Sequence, residues 1–565
     1  MPRRPAPEAP CPAGPEPFTP EVLMNAAPTH PSALLAHDVV RTFGAQRVLD
    51  GISLTASPGD RIGLIGENGV GKSTLLRLLA GVDEPDAGRV TRPADVGFLH
   101  QEMPFDAGST VAGVLDDALR EARADLAEVD RLSGLLAHTP EDSPEYARLL
   151  ETYGGRLEQA EERAAWDADR HAAVLLDGLG LGSLPHERPL RTLSGGQRGR
   201  LALAALLVRR PSALLLDEPT NHLDDEAAAF VEKQLRAMRG PVVIASHDRA
   251  FLDAVCTDLV DLDPALDGPV RYGGGYSSYL AEKRAERARW ERRYAEEQEE
   301  IEALRRSAAV TARQVAPDRG PRDSEKMGYG VRAGRVQSQI ARRVRNAGRR
   351  LGEAERLQVD EPPRALRFRY TERSEPPRPG TLVSLRGVRF PGRLAVDRLD
   401  VGASERLLVT GGNGTGKSTL IAVLAGRPVA FGEVVRRPGL SVGVLAQDSV
   451  FTRPDRTVGE TYARVLGVER AELVPLASLG LLHEADTDKP VHRLSAGQRR
   501  RLALALLMAR PPELLLLDEP TNHLSPALCD ELEEALGPGP GAIVVASHDR
   551  WLRRRWRGRE LRLGA

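Results

Sequence analysis

One phosphate-binding pattern occurs twice in this 565-residue chain, and the duplication constrains the fold more than any other feature. Gly66–Ser73 and Gly411–Ser418 both fit G-x-x-x-x-G-K-[ST], in which glycines let backbone N–H groups turn toward phosphates. Each segment follows a short apolar run and opens a Leu- and Ala-rich stretch, which predicts strand, loop and helix. The lysine of the pattern reaches the terminal phosphates, and its Ser hydroxyl holds Mg²⁺. The two loops therefore predict two ATP sites, with these contacts: Gly66, Asn68, Gly69, Gly71, Lys72, Ser73, Thr74, Gly411, Asn413, Gly414, Gly416, Lys417, Ser418 and Thr419.

Further motifs follow each loop in the same order. Each half has a short Leu-Ser signature, an apolar strand ending in Asp-Glu, and a second strand ending in Ser-His-Asp-Arg. The signature Ser precedes the Glu by 24 residues in both halves, and the Glu precedes the His by 29. Matched spacing over several motifs indicates an internal repeat. The motif residues are Ser194, Gly195, Gly196, Gln197, Asp217, Glu218 and His247 in the first half, and Ser495, Gly497, Gln498, Asp518, Glu519 and His548 in the second.

These motifs resemble the ATP-binding cassette superfamily over most of the chain. The resemblance implies that Asp217 and Asp518 hold Mg²⁺, and that Glu218 and Glu519 polarise the attacking water. It also implies γ-phosphate contacts from His247, which lies 29 residues beyond Glu218. By the same resemblance, His548 contacts the second γ-phosphate, and Gln101 and Gln447 contact Mg²⁺ and the attacking water.

In this superfamily two cassettes close head to tail around two ATP molecules. The resemblance therefore implies that Ser495 and Gly497 complete the site of Lys72, and that Ser194 and Gly196 complete the site of Lys417. Two positions depart from the pattern. Ala496 replaces a signature glycine, and Ser525 stands where the first half has Asp224. Because neither change removes a catalytic group, we expect both sites to hydrolyse ATP.

The composition excludes several classes of protein. The net charge is only −2, and no apolar run approaches the ~20 residues that span a bilayer. The chain holds 3 cysteines, far apart and without a C-x-x-C pair. This argues for a reducing cytoplasm and against zinc or iron–sulfur ligation, and so against the tandem cassette proteins that carry those metals. We expect a cytoplasmic protein.

Two inserted segments distinguish the halves. The first half has a longer stretch before its signature, with Leu119–Leu136 and Tyr146–Leu176 predicted as helices of an arm for a macromolecular partner or of an idle subdomain. Between the halves, residues 276–370 hold 23 Lys/Arg and 15 Asp/Glu. Helical spacing predicts a hairpin whose first helix runs from about Tyr276 to Val315, with a basic tip at about 315–334. Residues 303–350, which include the tip, hold 13 basic and 3 acidic residues, and almost all of the basic ones are Arg. This excess favours phosphate-backbone contact over a spacer coiled coil. The candidate contacts are Arg319, Arg322, Lys326, Met327, Tyr329, Arg332, Arg335, Arg342 and Arg343.

Two cassettes, an arm and a long charged linker together resemble the ABC-F family, and the linker is similar to antibiotic-resistance members from actinomycete macrolide and lincosamide producers. The resemblance implies an ATP- and Mg²⁺-dependent ATPase that binds the ribosomal E site as a monomer with intramolecular cassette pairing. Its hairpin would pass the P-site tRNA toward 23S rRNA at the peptidyl-transferase centre. Two alternatives stay open: a general translation factor of the same family, and the ATPase subunit of a drug exporter.

The expected fold is α/β, with two tandem P-loop ATP-binding cassette domains joined by a long α-helical hairpin linker. Residues 1–31, with ten prolines, read as a disordered tail, and Met24 is a second candidate start. We expect the first cassette at 32–275 with the arm at about 115–178, the linker at 276–375, and the second cassette at 376–565.

Overall fold

The computed structural model describes residues 33–564 except 45, 67–68, 101–105, 107, 222, 263–267, 314–341, 343–344, 347, 363–378, 413, 447–450, 483, 522–523, 525 and 537–540. The proposed tail at 1–31 and the proposed hairpin tip at 315–334 lie outside the described residues.

The first half forms an α/β unit with two sheets. Its strands are β1 (Leu34–Phe43), β2 (Gln46–Ala56), β3 (Arg61–Ile65), β4 (Ala87–Thr91), β5 (Val96–Leu99), β6 (Ala213–Asp217), β7 (Val242–Ala245), β8 (Asp258–Asp261) and β9 (Val270–Gly273). Its helices are α1 (Lys72–Ala80), α2 (Val111–His138), α3 (Pro144–Glu162), α4 (Ala168–Gly178), α5 (Gly195–Arg209), α6 (Asp225–Ala237) and α7 (Arg249–Val255). The large sheet has the order β5-β6-β7-β3-β8-β9, and the small one β2-β1-β4.

The large sheet positions the motifs because its central strands run parallel. β6 pairs with β7, and β7 with β3, all in the same direction. The residues of β6 and β7 are all buried, as expected for a parallel sheet covered on both faces. The phosphate loop after β3, the acids at the end of β6 and the Ser-His-Asp turn after β7 therefore meet at one edge of the sheet.

The arm is helical, as its composition predicts, but its boundaries differ from the prediction. α2 begins earlier than Leu119, with the Thr110 side chain capping it by accepting from the Gly113 N–H. The single helix predicted over Tyr146–Leu176 is wrong: the chain breaks at Ala164, which adopts a left-handed φ of 47°, and α4 starts afterwards. Arg163 and Arg156 both bind the buried Asp125 of α2, so the end of α3 is held against α2.

The linker begins with α8 (Tyr276–Arg313), which agrees with the predicted start and is about 57 Å long at 1.5 Å per residue. Residues 348–357 are also helical. The two segments contact each other: Trp290 Nε1 donates to the Asp360 carbonyl at 2.9 Å, and Arg305 pairs with Glu355 at 2.8 Å. The described part of the linker is therefore a hairpin.

The second half repeats the first. Its strands are β10 (Thr381–Phe390), β11 (Leu394–Gly402), β12 (Arg406–Thr410), β13 (Phe431–Arg436), β14 (Val442–Leu445), β15 (Leu514–Asp518), β16 (Ala542–Ala546) and β17 (Arg559–Arg562). Its helices are α9 (Lys417–Ala425), α10 (Val458–Leu466), α11 (Val468–Leu473), α12 (Ala496–Ala509), α13 (Pro526–Leu536) and α14 (Arg550–Arg555). The small sheet, β11-β10-β13, matches that of the first half, and the large sheet, β14-β15-β16-β12-β17, matches the first five strands of its counterpart, which continues with β9.

A reciprocal cluster of charges joins the two halves. Arg249 at the start of α7 is 1% exposed and binds Asp530, Glu533 and Asp549 of the second half. Arg550, its equivalent in the second repeat, binds Glu232 and Asp248 of the first half. We call these seven residues the interface cluster. Because each arginine follows its motif histidine by two residues, the cluster ties the nucleotide edge of one half to the other.

Candidate ATP sites

The two phosphate loops have similar φ values at their described glycines. Gly71 and Gly416, with φ of 106° and 95°, stand immediately before α1 and α9. A Cβ at Gly416 would lie 2.1 Å from the Arg393 carbonyl oxygen, so only glycine fits there. The Nζ of Lys72 donates to the Gly66 carbonyl at 2.8 Å, and that of Lys417 donates to the Gly411 carbonyl at 2.9 Å. Both ammonium groups are thereby held inside their loops.

The other described loop glycines also have positive φ. Gly66 and Gly411 have φ of 143° and 149°, and Gly69 and Gly414 have 88° and 85°. Lys72 and Lys417 are the first residues of their helices, so the following hydroxyl residues occupy the N-terminal turns beside the positive helix end. Those hydroxyl residues are Ser73, Thr74, Ser418 and Thr419.

Each Asp-Glu pair ends a buried strand, and the Asp faces the phosphate loop. Ser73 hydrogen-bonds the Asp217 side chain, and Ser418 hydrogen-bonds that of Asp518. Burial raises the pKa of both carboxyl groups, while these hydroxyl contacts oppose the shift. Within the described residues, no donor reaches the buried Oδ1 of Asp518. A Ser hydroxyl beside a buried carboxylate oxygen that lacks a donor fits Mg²⁺, which prefers oxygen ligands.

The Glu of each pair adopts a left-handed backbone. Glu218 and Glu519 have φ of 50° and 48°, which is uncommon for a residue with a side chain. Their backbone N–H groups donate to the Ala245 and Ala546 carbonyl oxygens, both at 2.8 Å. The left-handed turn thus directs each carboxylate toward the neighbouring Ser-His-Asp turn.

The Glu and His side chains meet in both sites, with different geometry. Glu218 Oε1 lies 3.3 Å from His247 Nε2, whereas Glu519 Oε2 lies 2.8 Å from His548 Nδ1. The Glu519 hydrogen bond raises the pKa of His548 against the effect of burial. Lys417 Nζ is 3.9 Å from Glu519. The second carboxylate therefore lies close to both the His548 imidazole and the Lys417 ammonium group.

Burial dominates the electrostatics of Glu218. It raises the pKa of this carboxyl to about 8, while the His247 backbone N–H and Lys72 oppose the shift. A carboxyl with a pKa near the working pH suits proton transfer from water.

Both signatures form the first turn of a helix. Ser194 Oγ accepts from the Gln197 backbone N–H at 3.1 Å, and Gln197 Oε1 accepts from the Ser194 N–H at 3.0 Å. Ser495 and Gln498 make the same capping box at the start of α12. The adjacent glycines Gly195, Gly196 and Gly497 lie in these first turns. Exposed helix N-termini with small residues are suited to bind phosphate. That the signature of each half contributes to the ATP site of the other half stays a prediction.

Some predicted residues lie outside the described residues: Asn68, Gln101, Asn413 and Gln447 of the sites, Ser525, and Arg319, Arg322, Lys326, Met327, Tyr329, Arg332, Arg335 and Arg343 of the linker. Arg342, the remaining linker candidate, is helical and exposed.

Sequence reasoning missed two sets of residues. The interface arginines Arg249 and Arg550 recur at the same distance after each motif His, which was a readable signal. Arg500 is buried and donates through Nη2 to the Asp518 carbonyl at 2.9 Å. Its counterpart is Gly199, so the repeat pattern drew no attention to it.

Comparison with known proteins agrees with this architecture. A family described as "ABC transporter" matches residues 49–221 and 394–522. The tylosin resistance ATP-binding protein TlrC of Streptomyces fradiae is 43% identical over 95% of this chain and 98% of that protein. The energy-dependent translational throttle protein EttA of Mycobacterium tuberculosis (strain ATCC 25618 / H37Rv) is 33% identical over 91% of this chain and 88% of that protein.

A solved structure gives the same fold at lower identity. The crystal structure of the complex of archaeal ribosomal stalk protein aP1 and archaeal ribosome recycling factor aABCE1 aligns with a TM-score of 0.50 and 18% identity. The alignment covers 91% of this chain and 85% of that one. Within the described chain, every helix is too short or too polar to span a bilayer.

Proposed function

This chain belongs to the ABC-F family of ATP-binding cassette ATPases, and we propose that it protects the ribosome from antibiotics of the macrolide or lincosamide type. The observation that carries the proposal is the relationship to a tylosin resistance protein over nearly the full length of both chains. Two candidate ATP sites with the same motifs and a hairpin that begins with α8 supply the parts that such an activity needs.

The chemistry at each site follows from the arrangement of its side chains. The loop glycines and Lys72 or Lys417 hold the phosphates, and Glu218 or Glu519 takes the proton of the attacking water. Mg²⁺, when bound, neutralises charge on the transferred phosphoryl group. Its ligands would be Ser73, Gln101 and Asp217 in one site, and Ser418, Gln447 and Asp518 in the other.

ATP acts as a switch because it stabilises a closed pair of cassettes, and only that form docks on the ribosome. Docking places the Arg-rich hairpin near P-site tRNA and 23S rRNA, where bound drug is displaced or its site is reshaped. Hydrolysis then opens the pair and releases the protein. Two ATP molecules bound between the halves need no second copy of the chain.

The experiment is drug susceptibility in a sensitive bacterial host. Shortening the linker between Pro317 and Arg332 should abolish resistance while ATPase activity stays within about twofold, since this segment lies outside the catalytic motifs. A matched control shortens the arm loop between Thr139 and Ser143, which joins α2 and α3. Full resistance in the linker variant would contradict the proposal.

A general translation factor is the second candidate, because EttA is also similar over most of both chains. Under that hypothesis, expression would change growth or translation without raising the inhibitory concentration of any drug. An exporter subunit would instead lower drug accumulation in the cell, which ribosome protection leaves unchanged.

A further inference from the structure

Arg500 is a buried cation that contacts the catalytic edge of the second site from within. Its side chain is 2% exposed, and Arg is almost never so buried unless paired. The Nη2 group donates to the carbonyl oxygens of both Asp518 and Glu519, the two acids of that site. Arg500 lies in α12, five residues after the signature Ser495, so it joins the signature helix to the acids of its own cassette.

The contact falls on a strained part of the chain. Glu519 adopts a φ of 48°, a left-handed backbone that is unfavourable for a residue with a side chain. Such a conformation persists only where its surroundings hold it. Arg500 binds the carbonyl oxygens of the two peptide groups that flank the Glu519 Cα, so it restrains the groups that set the direction of the Glu519 carboxylate.

The first cassette has a glycine, and not an arginine, at the corresponding position. The residue five positions after Ser194 is Gly199, which is exposed, and a Cβ placed there would have no atom within 4 Å. Glu218 nevertheless has a similar φ of 50° and accepts from the His247 N–H at 3.4 Å, as Glu519 accepts from the His548 N–H at 3.3 Å. The two sites therefore share their catalytic groups and differ in what supports them.

We propose that Arg500 is a positioning residue for Glu519 and that this support is restricted to the second ATP site. It acts through the backbone of the Asp-Glu turn and touches no substrate. The proposal rests on the ATPase activity and on Glu519 as the base, and it is independent of the ribosome as target.

The test measures each ATP site alone, in a chain whose other site is inactivated by a Glu→Gln substitution. In the Glu218→Gln chain only Glu519 can act as base, and in the Glu519→Gln chain only Glu218 can. Replacing Arg500 by Met in the first background should lower kcat for ATP by about tenfold with KM within about twofold, because a misplaced catalytic group costs rate rather than substrate binding. In the Glu519→Gln chain, the same Arg500→Met substitution should lower kcat by a factor at least five times smaller.

Three further measurements separate positioning from general destabilisation. Arg500→Lys keeps the charge but loses the planar donor pair, so it should recover only part of the rate, and added guanidinium ion should recover rate in Arg500→Met. In the otherwise wild-type chain, hydrolysis of two prebound ATP molecules in a single turnover should split into a fast and a slow phase of equal amplitude. Equal losses in both backgrounds, no loss in the Glu218→Gln chain, or one uniformly slowed phase would overturn the proposal. Arg499→Met, one position earlier on α12, is the matched control.

Discussion

Removing the Arg249 side chain from the interface cluster should destabilise the protein strongly. Arg249 is 1% exposed and binds Asp530 at 3.0 Å, Asp549 at 2.6 Å, and Glu533. Met has a similar length without charge, so Arg249→Met would leave Asp549 without this cation and would leave Asp530 and Glu533 with only the partly exposed Arg555. Breaking a buried ion pair by removing one partner costs about 3–5 kcal/mol, a large part of the stability of an ordinary domain.

The loss of stability in Arg249→Met should also depend on pH, and the titration of Glu533 determines whether it grows or shrinks as the pH rises. Burial raises the pKa of Glu533 to about 7, and Arg249 opposes that shift. Without Arg249 the pKa rises further, so at pH 6 the carboxyl is neutral and its burial costs little. As the pH rises to 9 it must ionise in the folded protein, and the stability gap between wild type and Arg249→Met should widen.

The assay is urea unfolding of the nucleotide-free protein between pH 6 and 9, followed by fluorescence and circular dichroism. Arg553→Ala is the matched control, because Arg553 pairs with Asp225 at the exposed surface and should lose no more than about 1 kcal/mol. Adding Glu533→Gln to Arg249→Met should recover part of the loss. If Arg249→Met costs no more than Arg553→Ala, or if the gap narrows with pH, the buried-cluster argument is wrong.

Three other predictions concern the ATP sites. Glu218→Gln should gain stability relative to wild type by up to about 4 kcal/mol as the pH rises from 5 to 9. The reason is that the wild-type Glu218 carboxyl has a pKa of about 8 in the folded protein and near 4.5 in the unfolded chain, so rising pH destabilises only the wild type. A melting-temperature difference between the two proteins that is constant or falls with pH would contradict this. Ser194→Ala should cost about 1 kcal/mol by removing the capping box of α5, measured by urea unfolding against Ser212→Ala, and an equal loss in both would refute it. Gly416→Ala should weaken nucleotide binding at the second site at least about tenfold, since its Cβ would meet the Arg393 carbonyl, and unchanged binding of a fluorescent ATP analogue to this variant would count against it.

The motif repeat made the fold and the catalytic edge predictable, because each motif combines a buried strand with a loop at its carboxyl end. Ser73, Asp217 and His247 could be placed from spacing alone. The break at Ala164 could not, since nothing in that Ala- and Glu-rich stretch differs from a continuous helix, and tertiary contacts such as Arg163 with Asp125 decide where it stops.

Ion pairs between residues far apart in the sequence also could not be predicted. Asp530 meets Arg249 from a position where the first repeat has Ala229, so the repeat itself gave no hint of the pair. Two arginines of α14 are a further case, because Arg553 pairs with Asp225 and Arg555 with Asp530. Partner choice among many charged residues depends on distances that only the folded chain sets.

The most direct test of the central claim is ribosome co-sedimentation of the Glu218→Gln/Glu519→Gln chain with and without ATP. Both substitutions leave the phosphate loops intact while removing the carboxylates that activate water, so the ATP-bound closed form should accumulate. The account predicts that the protein pellets with ribosomes only when ATP is present. ATP bound by the protein without any pelleting would contradict the ribosome as its target.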